Sequence, residues 1–305
     1  HIDDLSSVTV VDLLGNGTAC LVWSSPLPND VSRHMRYIPL MKEKPHLMTL
    51  TKNNLGTETR IQYAPSTKFY LEDKYSGKPW ITKLPFPVHV VERVETYDRI
   101  SQNRFVTRYA YHHGYFDGVE REFRGFGMVE QWDTEEIGII LPNEISSDAT
   151  NLDASSYVPP VITKTWFHTG AYFEKDYISW HFAHEYYGAP KKGDTNYETE
   201  FQKFEKTLLP DTIFPESILS ETPIPYDLTA EEQREACRAL KGSILRQEIY
   251  SQDDSPKKDY PYIVSERNYT IEILQPKTEN HHAVFFVHPR ETIDYHYERN
   301  MDDPR

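Results

Sequence analysis

Val94 to Asp133 reads VETYDRISQNRFVTRYAYHHGYFDGVEREFRGFGMVEQWD and holds two strand–turn–strand units. Phe105, Thr107, Tyr109 and Tyr111 alternate with Val106, Arg108, Ala110 and His112, the period of two that a strand with an aromatic face requires. Asp117-Gly118 follows, a dipeptide suited to a tight turn with positive φ. The spacing predicts a hairpin that pairs 105–112 with 119–124, with Val119, Arg121 and Phe123 on one side and Glu120, Glu122 and Arg124 on the other. Gly125 and Gly127 bracket Phe126, so the backbone is expected to bend before Met128–Trp132 continues as a strand.

Outward from this stretch the composition agrees with sheet. The 305 residues are 38% hydrophobic and 13% aromatic, with 21 tyrosines and 21 prolines. A net charge of −14 argues against nucleic-acid binding, which calls for a basic footprint. No run approaches 18 apolar residues, so no membrane span is expected. The start, HIDDLSSVTV, has neither a basic flank nor an apolar core of a signal peptide and no initiating Met, as expected for a piece of a longer chain. Cys20 and Cys237 are too few for a disulfide scaffold and are expected as buried thiols.

Residues 1–25 read as strand, turn, strand, with Asp12-Leu13-Leu14-Gly15-Asn16-Gly17 as the turn. Calcium takes six to eight oxygens, and this loop offers side-chain oxygens only from Asp12 and Asn16. A plain Asn-Gly turn is the favoured reading, with a calcium loop kept open. Residues 26–56 read as a linker, 57–63 as an alternating strand, 64–84 as turn-rich, and 88–96 as a strand. Asn143–Pro160 is polar, a loop or seam. Residues 161–227 read as an irregular insert with a helix at 196–209, where Phe201, Phe204 and Leu208 keep helical spacing. Pro210, Pro215, Pro223 and Pro225 forbid a long helix after it. Thr229-Ala-Glu-Glu232 is a capping box that opens a helix at 229–241, closed near Gly242. The alternation of Tyr269, Ile271 and Ile273, the apolar run 283–287, and the alternation of Ile293, Tyr295 and Tyr297 return the chain to sheet.

Chemistry is sparse. His181, His184 and Glu185 do not form the His-Glu-x-x-His pattern, and two histidines leave a zinc site short of ligands. An aromatic packing surface suits their neighbours better. His112-His113 and His281-His282 are adjacent, so on strands each pair faces opposite sides and cannot converge on one ion. Arg99, Arg104, Arg108, Arg121 and Arg124 are interleaved with Glu120, Glu122 and Glu130, which predicts cross-strand ion pairs. No nucleophile elbow or phosphate loop is present. No catalytic, cofactor-binding or metal-binding residue is assigned, and no cofactor is expected.

YAYHHGYFDGVEREFRGFGMVEQWD at 109–133 resembles the middle/N-terminal region of TcdB, the TcB subunit of tripartite insecticidal toxin complexes. LTAEEQREACRALKGSILRQEIY at 228–250 and HHAVFFVHPRETIDYHYERN at 281–300 resemble the middle/C-terminal region of the same family. That family is related to SpvB-type virulence proteins and to shells of Rhs/YD repeats. The resemblance implies a mainly β fold: the end of a β-propeller at 1–25, then Rhs/YD-shell-like β regions at 57–160 and 228–305 with short inserted helices. It implies a secreted, structural, non-enzymatic segment, part propeller junction and part wall of a shell around a cytotoxic effector. The implied partners are the C component that carries the effector and the pore-forming A component. A carbohydrate-binding module or glycoside-processing enzyme with an aromatic sheet site is the alternative. An exposed Trp/Tyr platform beside two carboxylates would favour that alternative; aromatics buried in stacks would favour the wall.

Overall fold

The structure is a computed structural model, and it describes residues 6–26, 34–134, 159–174, 177–193, 195–213, 228–253 and 255–300. Most of the polar stretch 143–160 and the prolines at 215, 223 and 225 lie outside them. Among the described residues, two antiparallel sheets account for the strands. β1 (Ser7–Val11), β2 (Cys20–Ser24) and β3 (Met35–Pro39) form a three-stranded sheet in the order β1-β2-β3. The other nine strands form one sheet whose spatial order is the chain order: β4 (Leu50–Lys52), β5 (Thr57–Pro65), β6 (His89–Asp98), β7 (Asn103–Asp117), β8 (Glu122–Thr134), β9 (Val161–Phe167), β10 (Ile244–Ser251), β11 (Ile263–Gln275) and β12 (Val284–His296). The fold class is mainly β, as expected.

The two strand–turn–strand units of 94–133 are β6–β7 and β7–β8. The hairpin register differs from the expected one: 106–112 pairs with 128–134, and Asp117 sits opposite Glu122. The Asp117 carboxylate accepts the N–H groups of Val119 and Glu120 at 2.9 and 3.0 Å, an Asx-type closure that lengthens the turn to 118–121. The left-handed position therefore falls on Arg121, at φ 52°, and not on Gly118. Gly125 does bend the strand. Arg124 and Gly125 together oppose Tyr115, a bulge, and Gly125 sits at φ +91°, which favours a residue without Cβ.

Three further expectations change. The presumed linker 26–56 carries β3 and β4. The turn-rich stretch contains α1 (Ser66–Tyr75), whose Phe69 is buried against Tyr111. Only Phe69 and Ser66 of it are buried, so no apolar stripe marked the helix in advance. The irregular insert begins with β9, an interior strand between β8 and β10, and β10 had no marked alternation because charged Arg246 and Glu248 take its inward positions. α2 (Tyr197–Glu205) and α3 (Ala230–Ala239) fall where helical spacing placed them, and the Thr229–Glu232 capping box is formed in both directions. Segment 168–213 and α3 cover one face of β8–β11, burying Met128, Trp166, Ile178, Phe182, Leu240, Leu245, Ile271 and Ile273.

Candidate functional site

Helix α3 is the joint between the two halves of the large sheet. Ala236 and Cys237, with Leu240 at its end, face the core, and the flanking positions sort charges by sign. On the basic side Arg234 meets Asp117 at 3.3 Å, Arg238 meets Glu122 at 3.2 Å and Lys241 meets Glu122 at 2.9 Å, all on the β7–β8 hairpin. On the acidic side Glu231 pairs with Lys277, the Glu232 carboxylate accepts the Lys277 N–H at 2.8 Å, and Glu235 accepts from His282 and from the Ala283 N–H, all on the β11–β12 connection. One helix thus ties two hairpins more than a hundred residues apart. Burial opposes ionisation of Asp117, but the N–H groups of Glu120 and Val119 with Arg124 and Arg234 outweigh it and hold the carboxyl below its usual range. The Lys241 ammonium lowers Glu122 in the same way.

The charged strip on the covered face anchors segment 168–213. Arg246 is buried between Glu248, at 2.6 Å, and Glu266, with its guanidinium 4.7 Å from the Tyr186 ring centre. Those carboxylates also accept the Tyr187 N–H at 2.8 Å, the Leu209 N–H at 3.0 Å and the Tyr250 hydroxyl at 2.6 Å. A buried ion pair holds only when its spare lone pairs are occupied, and here backbone amides of the covering segment occupy them. Asp211 instead ties the covering segment to itself, accepting the N–H groups of Ile178 and Ser179 at 2.6 and 2.7 Å.

The residues singled out in the sequence lie in different places. His181 is buried among Phe173, Phe182 and His168, and its Nδ1 faces the Tyr177 carbonyl at 3.2 Å. Burial pushes it down to about 4, and burial pushes His168 well below its ordinary value too. Glu185 turns away to His113, whose Nε2 is 2.9 Å off, and to Trp166 Nε1 at 3.2 Å. Burial opposes its ionisation, yet those bonds and the neighbouring imidazoles bring it down to about 2. His112 takes a different carboxylate, Asp73 of α1, at 2.6 Å, so the adjacent histidines do serve opposite partners. His282 goes to Glu235, while the His281 ring lies 6.3 Å from it. Asp12 accepts the N–H groups of Asn16 and Gly17, and Asn16 accepts from Thr18, so both side chains close the turn on itself. Cys20 and Cys237 are buried free thiols. Arg104 pairs with Glu95 at 2.7 Å, Arg99 with Glu58, and Arg124 with Asp117 and Glu122.

Geometrically these are clamps. Among the described residues no three His, Cys, Asp or Glu side chains gather as a metal site. Sequence reasoning missed Arg246, Glu248, Glu266, His113 and Glu185 as partners, since their contacts span from two to 72 positions. The one available signal was charge at positions where a central strand should be apolar, in the run Leu245-Arg-Gln-Glu-Ile249.

Residues 4–170 match the family model described as the insecticide toxin TcdB middle/N-terminal region, and residues 235–305 match its middle/C-terminal region. A search of curated proteins gives no match. Among solved structures, crystal structures of TcdB2-TccC3 and of TcdB2-TccC3-TEV align with 99% of this chain at 30% and 31% identity, each with a TM-score of 0.76. A Photorhabdus luminescens Tc holotoxin pore aligns with 99% at 30% identity and a TM-score of 0.74. This chain spans 13% of the length of those chains. With the first family model covering more than half of the residues, the chain belongs to the TcdB insecticidal toxin family.

Proposed function

We propose that this chain is a structural wall segment of a secreted toxin-complex subunit, set between a propeller and the main shell. The observation that carries the reading is the nine-stranded sheet in chain order, with its charges spent on clamps. A meander of this kind is a wall that each new strand extends. The three-stranded sheet is the propeller end of the junction, because Val8, Val10 and Ile38 on one face and Val11, Met35 and Tyr37 on the other are exposed, as in a sheet meant for neighbours on both sides. The shell encloses a cytotoxic effector delivered with a C component, and the propeller meets a pore-forming A component. The segment has no turnover of its own. No helix among the described residues is long and apolar enough to cross a membrane.

The aromatics favour the wall over a carbohydrate site. Trp80 meets Phe126 edge-on at 86° and Trp166 meets Tyr186 edge-on at 73°, packing that spends the ring faces inside the protein. Light scattering and thermal melting of the 305-residue chain against the full-length subunit test the reading. The chain alone is expected to associate or to melt at lower temperature. A monomeric chain as stable as the whole subunit would sink the proposal.

A further inference from the structure

β6 pairs with β7 only as far as Arg93 opposite Arg108, while β7 runs on to Asp117. Beyond that point, on the side away from β8, the segment 81–83 lies along β7 as a strap. The Ile81 N–H donates to His113 Nδ1 at 3.2 Å, the Thr82 hydroxyl to the Gly114 carbonyl at 3.0 Å, and the Phe116 N–H to the Lys83 carbonyl at 3.0 Å. The strap thus occupies an edge that would otherwise offer unpaired backbone groups.

His113 is an unusual residue to find there. It is buried and sits at φ 56° inside a strand, a left-handed conformation that is strained for a residue with a Cβ. Its ring lies 5.0 Å from Phe182, and Gly127 opposite leaves room for both; a Cβ on Gly127 would stand 2.3 Å from Phe182. Because Nδ1 accepts an N–H, that nitrogen carries no proton, and the ring proton is on Nε2, donated to Glu185. A second proton would turn Nδ1 into a donor facing the Ile81 donor. The Glu185 carboxylate stands at Nε2, 2.9 Å away, and His184 lies 3.8 Å from that carboxylate. Phe182, Trp166 and Gly127 contribute no charge. Next along the strand, His112 faces Asp73 at 2.6 Å and Glu130 at 3.9 Å.

We propose that His113 is a proton-operated latch on the β7 edge: neutral, it binds the 81–83 strap through Nδ1; protonated, it keeps Glu185, releases Ile81 and uncovers the strand at Gly114 and Phe116. Amide exchange read by mass spectrometry, corrected for intrinsic rates, tests this on the 305-residue chain and on the full-length subunit. Between about pH 7.5 and about pH 5, protection of the Ile81 and Phe116 amides is expected to fall roughly tenfold or more. Glu185→Gln removes the carboxylate that the released imidazolium keeps as its partner, and the strap is then expected to stay protected at the lower pH. His113→Gln offers the same acceptor and donor without a titrating proton, and it too should hold. His112→Gln should leave the response in place. Equal protection of the wild type at both pH values, a Glu185→Gln chain that still loses the strap, or a response abolished by His112→Gln would each overturn the latch.

Discussion

The three-stranded sheet leaves Val10 62% exposed and Ile38 51% exposed, while the nine-stranded sheet buries Trp166, Ile271 and Ile273 almost completely. Both are antiparallel and both carry β-branched and aromatic residues, so local propensity does not separate them. What separates them is cover. The large sheet brings its own, in segment 168–213 and α3, and fastens it with buried charges. On the small sheet Cys20 and Val22 are buried, Leu21 and Trp23 are half-buried, and Val8, Val10, Val11, Met35, Tyr37 and Ile38 face solvent. A sheet with its own cover is a stable unit; one without cover is a surface awaiting a neighbour.

The sharpest way to break that comparison is to cut the fastening. Arg246→Met leaves Glu248 and Glu266 buried without their cation, and loss of one partner from a buried ionic group costs about 3–5 kcal/mol. Urea denaturation of the 305-residue chain should show a loss of that size. A loss below about 1 kcal/mol would mean that the covering segment is held by apolar contact alone.

Acid should loosen the same cover by another route. His181 is buried as the neutral form and is pushed down to about 4 from an ordinary value near 6.5. A histidine with a depressed folded value contributes stability that is full above about pH 6.5 and is lost as pH falls toward 4, roughly 3 kcal/mol over that window. His168, lowered for the same reason, steepens the loss. His181→Phe keeps an aromatic ring against Phe173 and Phe182 and removes one titrating group, so its denaturation midpoint should vary less with pH. Parallel pH dependence in the variant and the wild type would assign the acid sensitivity elsewhere.

The β7–β8 hairpin offers a smaller test and shows what could be read in advance. Alternation and the Asp-Gly dipeptide place a hairpin here, because both are local signals, but they miss its register, since 106–112 pairs with 128–134 and not with 119–124. Which turn residue goes left-handed depends on the Asp117 side chain reaching the Val119 and Glu120 amides, and that geometry has no sequence period. For the same reason the Thr229–Glu232 capping box was legible and the Glu185–His113 bond was not: one spans three residues and the other 72. β10 escaped notice because its buried Arg246 and Glu248 break the apolar pattern that identifies a central strand, and β9 because Thr163, Lys164 and Thr165 interrupt its apolar run. Gly125→Ala, at φ +91°, should therefore cost about 1–2 kcal/mol, and Gly118→Ala less than about 0.5 kcal/mol. The reverse order would return the left-handed position to the Asp-Gly dipeptide.

The smallest effect expected is the most telling for the small sheet. Val10 and Ile38 stand on the same face, since Leu21 is the partner of both across β2. In the 305-residue chain both side chains are largely in solvent, so Val10→Thr with Ile38→Thr should change stability by no more than about 0.5 kcal/mol. If a neighbouring sheet covers this face in the full-length subunit, the same pair of hydroxyls becomes buried there. Each then costs on the order of 1–3 kcal/mol, the penalty for a buried polar group without a partner. Thermal melting of the double variant in both chains separates the cases. A loss confined to the longer chain identifies the small sheet as an inner layer of a larger assembly. Equal and negligible shifts in both would mean that the face is solvent-exposed throughout, and the junction reading would lose its physical support.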